Sequence, residues 1–297
     1  MAKLKPTIGY VGVGLMGAPM TLRLLAAGYD VVVWNRTREK ILPVLKEGAT
    51  EADSPASVAR QVDFVFQCLT DAQAVEQVVF GDDGISTAGS DQQLLVDFSS
   101  MRPDCTREFS VRLREQCGMG WVDAPVSGGV KGAEEGTLAI MAGGEAADVE
   151  RVRDAVGQFS ARFTHMGPSG AGQVTKLCNQ VIAASNLVTI AEAVSLAERS
   201  GVDAAALPEA LAGGFADSIP LQIFGPRFAK RQYEPFLGHV YTMMKDLDTA
   251  RDLGQEQGAP LPMSSVAVEL LRQIAGRGYA EEDFTNVIRL FDNDETR

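Results

Sequence analysis

At 297 residues, with 45% apolar and 22% charged residues, the chain is long enough for two domains and has the balance of an ordinary globular protein. Its formal net charge is −12, with no block of like charges at either end, which argues against nucleic acid or an anionic membrane as a partner. An anionic substrate would therefore have to be drawn in by a local positive pocket. The opening residues lack the apolar stretch of a secretory signal, and no segment holds the uninterrupted apolar run of a membrane span, so a cytoplasmic location is expected. Cys68, Cys105, Cys117 and Cys178 show no CxxC spacing and are expected to be buried free thiols. The two histidines, His165 and His239, lie far apart, so no metal site is expected.

The first predicted element is a strand over Thr7–Val11. It runs into Gly12-Val13-Gly14-Leu15-Met16-Gly17, after which an amphipathic helix extends to Ala27. Three glycines at this spacing, between a strand and a helix, allow a tight turn, close approach of a pyrophosphate to the backbone, and close helix–strand packing. The amides and dipole at the helix start attract the anion. This is a dinucleotide-binding loop. The second strand, Val31–Trp34, ends at Asn35-Arg36-Thr37. An NAD-binding chain usually places Asp or Glu there to accept from the ribose 2′-hydroxyl. Asn35 has no charge to repel a 2′-phosphate, while Arg36 and Thr37 can bind one, so NADP(H) is expected over NAD(H), with NAD(H) possible.

Further strands are predicted at Phe64–Cys68, Leu94–Asp97, Gly120–Asp123, Ala139–Ala142 and Arg162–Met166, with helices such as Arg38–Glu47 and Pro103–Gln116 between strands. Near-continuous apolar strands separated by helices indicate a mainly parallel, doubly wound α/β sheet covered on both faces. After Asp123, the turn Ser127-Gly128-Gly129 exposes unencumbered amides beside a hydroxyl, a natural cradle for a carboxylate.

The pattern changes after Gly167-Pro168. From Ser169 to about Arg199, apolar residues recur at helical spacing, giving a rod of about 45 Å. More helices are expected at Ala204–Ala212, Ser218–Lys230, Phe236–Gln257, Pro262–Gly276 and Glu281–Phe291, with no strand. The expected organisation is a Rossmann-type domain over 1–167 and an all-helical domain over 168–297, joined by the long helix. On that helix Lys176, Asn179 and Gln180 project from one side. A partly desolvated lysine has a lowered pKa, and its amine could take the proton from a substrate alcohol.

Several segments together resemble the β-hydroxyacid dehydrogenase family: GVGLMG at Gly12–Gly17, DAPVSGG at Asp123–Gly129, GAGQVTK at Gly170–Lys176, MMKDLD at Met243–Asp248 and GYAEEDF at Gly278–Phe284. The resemblance covers essentially the whole chain. It implies an NAD(P)-dependent oxidoreductase acting on a small β-hydroxyacid or its semialdehyde, with Lys176 as general acid/base. It implies that Ser127, Gly128 and Gly129 hold the substrate carboxylate and that Asn179 or its neighbour orients the substrate. The family commonly has Asn four residues after the lysine, where this chain has Gln180, so the choice between Asn179 and Gln180 stays open. The resemblance also implies that Lys245 reaches cofactor and substrate, and that Leu69, Thr70 and Ser100, just past their strands, line the nicotinamide side. Ligands of doubly wound sheets bind beyond the strand carboxyl ends. The competing readings are an imine reductase, which generally lacks a lysine at the position of Lys176, and a non-catalytic NADP-binding protein, which has no use for Ser127, Lys176 and Lys245 together. Long apolar helices lead us to expect a homodimer or homotetramer.

Overall fold

A computed structural model of the chain describes residues 5–292. Two compact units are present, Met1–Lys176 and Leu177–Arg297.

The first unit is built on one sheet. Its strands are β1 (Ile8–Val11), β2 (Val31–Trp34), β3 (Thr50–Glu51), β4 (Phe64–Gln67), β5 (Leu94–Asp97), β6 (Gly120–Asp123), β7 (Val126–Ser127), β8 (Leu138–Gly143) and β9 (Ser160–Gly167). They lie in the order β3-β2-β1-β4-β5-β6-β8-β7, with β9 also paired to β8. The pairs from β3 across to β6 are parallel, β8 is antiparallel to β6 and β7, and β9 is parallel to β8. Because successive side chains alternate between faces, the apolar runs fill two cores. Ile8, Tyr10, Val33, Phe66 and Val96 face one; Val11, Val32, Val65, Leu95 and Trp121 face the other. Strand order reverses about β1, whose neighbours are β2 and β4, and the glycine loop leaves β1 at that switch point. This is a Rossmann domain.

The second unit is helical: Ile219–Lys230, Val240–Glu256 and Pro262–Ile274 pack with the later turns of the long helix Ala171–Arg199 around one core. Among its described residues the only β pairing is an isolated antiparallel bridge, His239 to Asp283. By length and mean hydropathy, 1.4 over its most apolar stretch, the long helix could cross a membrane. Its Ala184, Leu187, Ala191 and Val194 are fully buried in the core of the second unit, which accounts for that composition.

Some predicted elements differ in detail. The expected helix over Arg38–Glu47 begins as a 3-10 turn, Arg38–Ile41, before Leu42–Lys46. The expected Ala204–Ala212 helix is a 3-10 turn followed by the short Leu207–Ala210, and Glu281–Phe291 narrows to a 3-10 helix over Phe284–Leu290. In the last case Asp283 is the cap: its carboxylate accepts from the Thr285 N–H at 2.9 Å and so fixes the start three residues later than periodicity suggests. All four cysteines are free, but Cys178 is exposed and the others are half-buried, so the expectation of buried thiols is corrected; a helical stripe does not fix which flank is covered.

Candidate active site

The glycine loop follows from sterics. Gly12 has φ +89°, and a Cβ there would lie 2.4 Å from the Cys68 carbonyl oxygen; at Gly17 it would lie 2.1 Å from the Gly12 carbonyl oxygen. Only glycine is tolerated at either position. Gly14 differs: no protein atom would come within 4 Å of an added Cβ. Its absent side chain leaves open space, as a group approached by a ligand requires. The helix Gly17–Ala26 behind the loop has no side-chain cap and no acidic residue in its first turn, so its N-terminal dipole is not neutralised from within.

A cavity of about 610 Å³ opens against this loop, lined by Gly12, Gly14, Asn35, Arg36, Thr37, Leu69 and Thr70 among others. These seven expected cofactor residues are thus brought together. The Asn35 amide donates to the Thr37 carbonyl at 2.8 Å and holds the turn closed. Of the basic residues that follow β2, Arg38 is committed to Glu51 through two 2.7 Å bonds, whereas Arg36 and Lys40 line the cavity. Lys40 escaped the sequence reading; its position four residues after Arg36 was the available signal. Val13 and Gly17 are buried in the loop framework, Met16 packs against the core, and Leu15 is 82% exposed. Ser100 is half-buried on the loop after β5 and does not line the cavity. Its neighbour Ser99 links the two strand ends, its hydroxyl accepting from the Leu69 N–H at 2.9 Å.

Residues 123–129 and the first turns of the long helix form a second locality within the first unit. The Lys176 ammonium donates to the Val126 carbonyl at 2.9 Å, immediately before Ser127. Gly128 and Gly129 have φ +130° and +64°, and a Cβ on Gly129 would meet no protein atom within 4 Å. The helix that starts at Gly129 has no side-chain cap and no acid in its first turn, so the Ser-Gly-Gly amides are not claimed by a protein carboxylate there. Asp123, fully buried, accepts from the Gly170 N–H at 2.8 Å and the Gln173 N–H at 3.0 Å. Burial pushes its carboxyl pKa up, and these backbone bonds oppose the rise. Asp97, paired with Asp123 across β5 and β6, is also fully buried; burial raises its carboxyl to about 7, against the downward pull of the Ser99 hydroxyl and N–H.

In the second unit, Asn179 donates through its amide to the Gln180 side-chain oxygen at 3.0 Å, and Gln180 donates to Asp246 at 2.8 Å. Lys245, 49% exposed, lies 3.7 Å from the same carboxylate. Gln180 and Lys245 therefore meet at one acid, Asp246, and Asn179 joins them through the Gln180 side chain. Among the described residues no cluster of His, Cys, Asp and Glu could hold a metal ion.

Comparison with known proteins agrees with this layout. Residues 7–167 match the model of the NAD-binding domain of 6-phosphogluconate dehydrogenase, and residues 170–291 match the NAD-binding model of NADP-dependent 3-hydroxyisobutyrate dehydrogenase. The chain belongs to the β-hydroxyacid dehydrogenase family. This enzyme is 34% identical to the NAD-dependent L-serine dehydrogenase of Pseudomonas aeruginosa, over 96% of its own length and 97% of the relative's. It is 34% identical to the 2-hydroxy-3-oxopropionate reductase of Escherichia coli, over 95% and 96% of the two chains. The solved Mycobacterium tuberculosis 3-hydroxyisobutyrate dehydrogenase with L-serine superposes with a TM-score of 0.88 at 29% identity, covering 98% of this chain and all of that one. The protein is an NAD(P)-dependent oxidoreductase acting on CH–OH groups.

Proposed function

We propose that this dehydrogenase prefers NADP(H) and interconverts a small β-hydroxyacid and its semialdehyde, of the 3-hydroxyisobutyrate, glycerate/tartronate semialdehyde or 4-hydroxybutyrate type, with Lys176 as general acid/base. The observation that carries the reading is the 2.9 Å bond from the Lys176 ammonium to the Val126 carbonyl, which sets the amine beside Ser127-Gly128-Gly129. In this reading the Ser127 hydroxyl and the amides of Gly128 and Gly129 hold the substrate carboxylate, fixing the distance from that carboxylate to the carbinol. A neutral Lys176 amine accepts the hydroxyl proton during oxidation; the ammonium returns it to the carbonyl oxygen during reduction. Held at the Gly12–Gly17 loop, a nicotinamide cofactor would supply the hydride chemistry, while Lys176 handles the proton without a metal. Lys245, and either Asn179 or Gln180, enter through the resemblance to the family's motifs. The test is Lys176→Ala: turnover should fall by about 10²–10⁴-fold with cofactor affinity largely kept. Near-normal turnover would remove the lysine from the reaction. A panel of semialdehydes, assayed by NADPH consumption, then identifies the substrate.

The cofactor preference rests on neutral Asn35 where an acid would disfavour a 2′-phosphate, and on Arg36 and Lys40 beside it. Removing one charge-assisted contact costs about 1.5–3 kcal/mol, roughly 10–100-fold in affinity. Arg36→Ala should therefore weaken NADPH by about that factor and leave NADH nearly unchanged. Equal losses for both cofactors, measured by fluorescence titration, would sink the assignment.

A further inference from the structure

The chemistry assigned to Lys176 depends on where the start of the long helix is held, and two fully buried polar side chains hold it. Asp123 receives the Gly170 and Gln173 amides at 2.8 and 3.0 Å, so a carboxylate from the end of β6 takes two N–H groups that the first helical turn leaves unpaired. The Gln173 side chain reaches the other way: its amide donates to the Ser99 carbonyl at 2.8 Å and its oxygen accepts from the Met101 N–H at 3.2 Å. The same turn is thereby fastened to the loop after β5 and to the loop that leads to Ser127. Glycines make room for the carboxylate. A Cβ on Gly143 would lie 2.6 Å from Asp123 Oδ1, and one on Gly172 would lie 2.8 Å from Oδ2 and 2.4 Å from the Met141 carbonyl oxygen. Lys176 follows Gln173 by one helical turn, so a shift of this anchor moves its amine directly.

We propose that Asp123 and Gln173 are positioning residues that act as one clamp, fixing the Lys176 amine relative to the Ser127–Gly129 turn. The proposal rests on the assignment of proton transfer to Lys176. Both residues are buried, and neither lines the cavity at the glycine loop. Asp123 is suited to the task because both of its carboxylate oxygens face donors. An amide there would set its own N–H₂ against a backbone N–H and lose one of the two bonds. Displacement of a reacting group by about 1 Å can cost about 10²-fold in rate, far more than it costs in cofactor binding at a separate cavity.

The experiment compares Asp123→Asn, Gln173→Met and the double variant with Lys176→Ala in the full-length enzyme. For each, kcat, KM and NADPH affinity are measured, together with amide hydrogen exchange over 170–176 and the rate of Lys176 acylation read by mass spectrometry. The clamp predicts a kcat lower by about 10²-fold for each single variant, NADPH affinity within about twofold of the parent, faster exchange over 170–176 and altered Lys176 acylation. The double variant should be little worse than either single one, because the residues work as a unit. If Lys176→Ala is inactive while Asp123→Asn and Gln173→Met keep kcat within about twofold, the clamp is wrong and the proton-transfer reading survives. If Lys176→Ala is itself active, that reading has failed independently. Parallel loss of kcat and NADPH affinity, with unchanged exchange and acylation in the folded fraction, assigns the pair to stability alone and overturns the proposal. Should Asp123→Asn not fold, Gln173→Glu carries the same measurements. It retains the acceptor for Met101 and sets an oxygen against the Ser99 carbonyl, so activity near the parent's would overturn the clamp equally.

Discussion

Asp97 has a carboxyl group in a place where charge is costly. It lies fully buried at the end of β5, and burial raises its pKa to about 7. The unfolded chain releases that proton near pH 4, so the native state holds more protons between the two values. The contribution of the neutral form to stability is fully present below pH 4 and is lost as pH rises through about 7. Asp97→Asn keeps an oxygen for the Ser99 N–H and removes the titration. Its melting temperature should vary less with pH than the parent's, with a relative gain above pH 7 on the order of a few kcal/mol. Parallel pH profiles for the two proteins would show that Asp97 does not titrate in this range. At this scale the sequence was informative where sterics act locally: Gly12, Gly14 and Gly17 can be read from their spacing, and Arg36 from its place after β2. It was silent on Asp123, whose two donors lie 47 and 50 residues further on, and on the pairing of Arg38 with Glu51, which left Lys40 beside Arg36.

Elements were legible in proportion to their buried length. β1, β2, β4, β5 and β6 are buried almost throughout, and their apolar runs announced them. β3 and β7 are two-residue pairings, the first exposed at both residues, and no periodicity exists over so short a span. The helices Pro55–Ala59 and Gly129–Glu135 are short, the second carrying two glycines, and helix propensity alone does not favour it. The GYAEEDF segment has a mechanical role in the second unit. Buried Asp283 accepts from the Leu237 and Gly238 amides at 2.5 and 3.3 Å while capping Phe284–Leu290, so it ties the loop carrying Phe236 to the C-terminal turn. Asp283→Ala leaves these buried donors unpaired and should destabilise the protein by about 1–3 kcal/mol in urea unfolding. A midpoint unchanged from the parent's would deny Asp283 that role.

For the whole molecule, the division into a Rossmann domain and a helical one could be read from the change of pattern after Gly167. The cofactor cavity, the Ser-Gly-Gly turn and Lys176 all belong to the first unit. The second unit leaves Leu211, Phe215, Ile219 and Ile223 exposed along one stretch of chain, Phe215 completely. Large apolar side chains grouped in this way favour self-association, and a closed homo-oligomer is the expected form. Light scattering should give a mass two or four times that of the chain, reduced in Phe215→Asp; a monomeric parent would dismiss the expectation. The distribution of thiols has a practical consequence. Burial raises the pKa of Cys68 to about 12 and lifts those of Cys105 and Cys117, while Cys178 stands exposed two residues beyond Lys176. A maleimide dye offered at neutral pH would attach there first, giving each chain one optical reporter on the helix that carries Lys176.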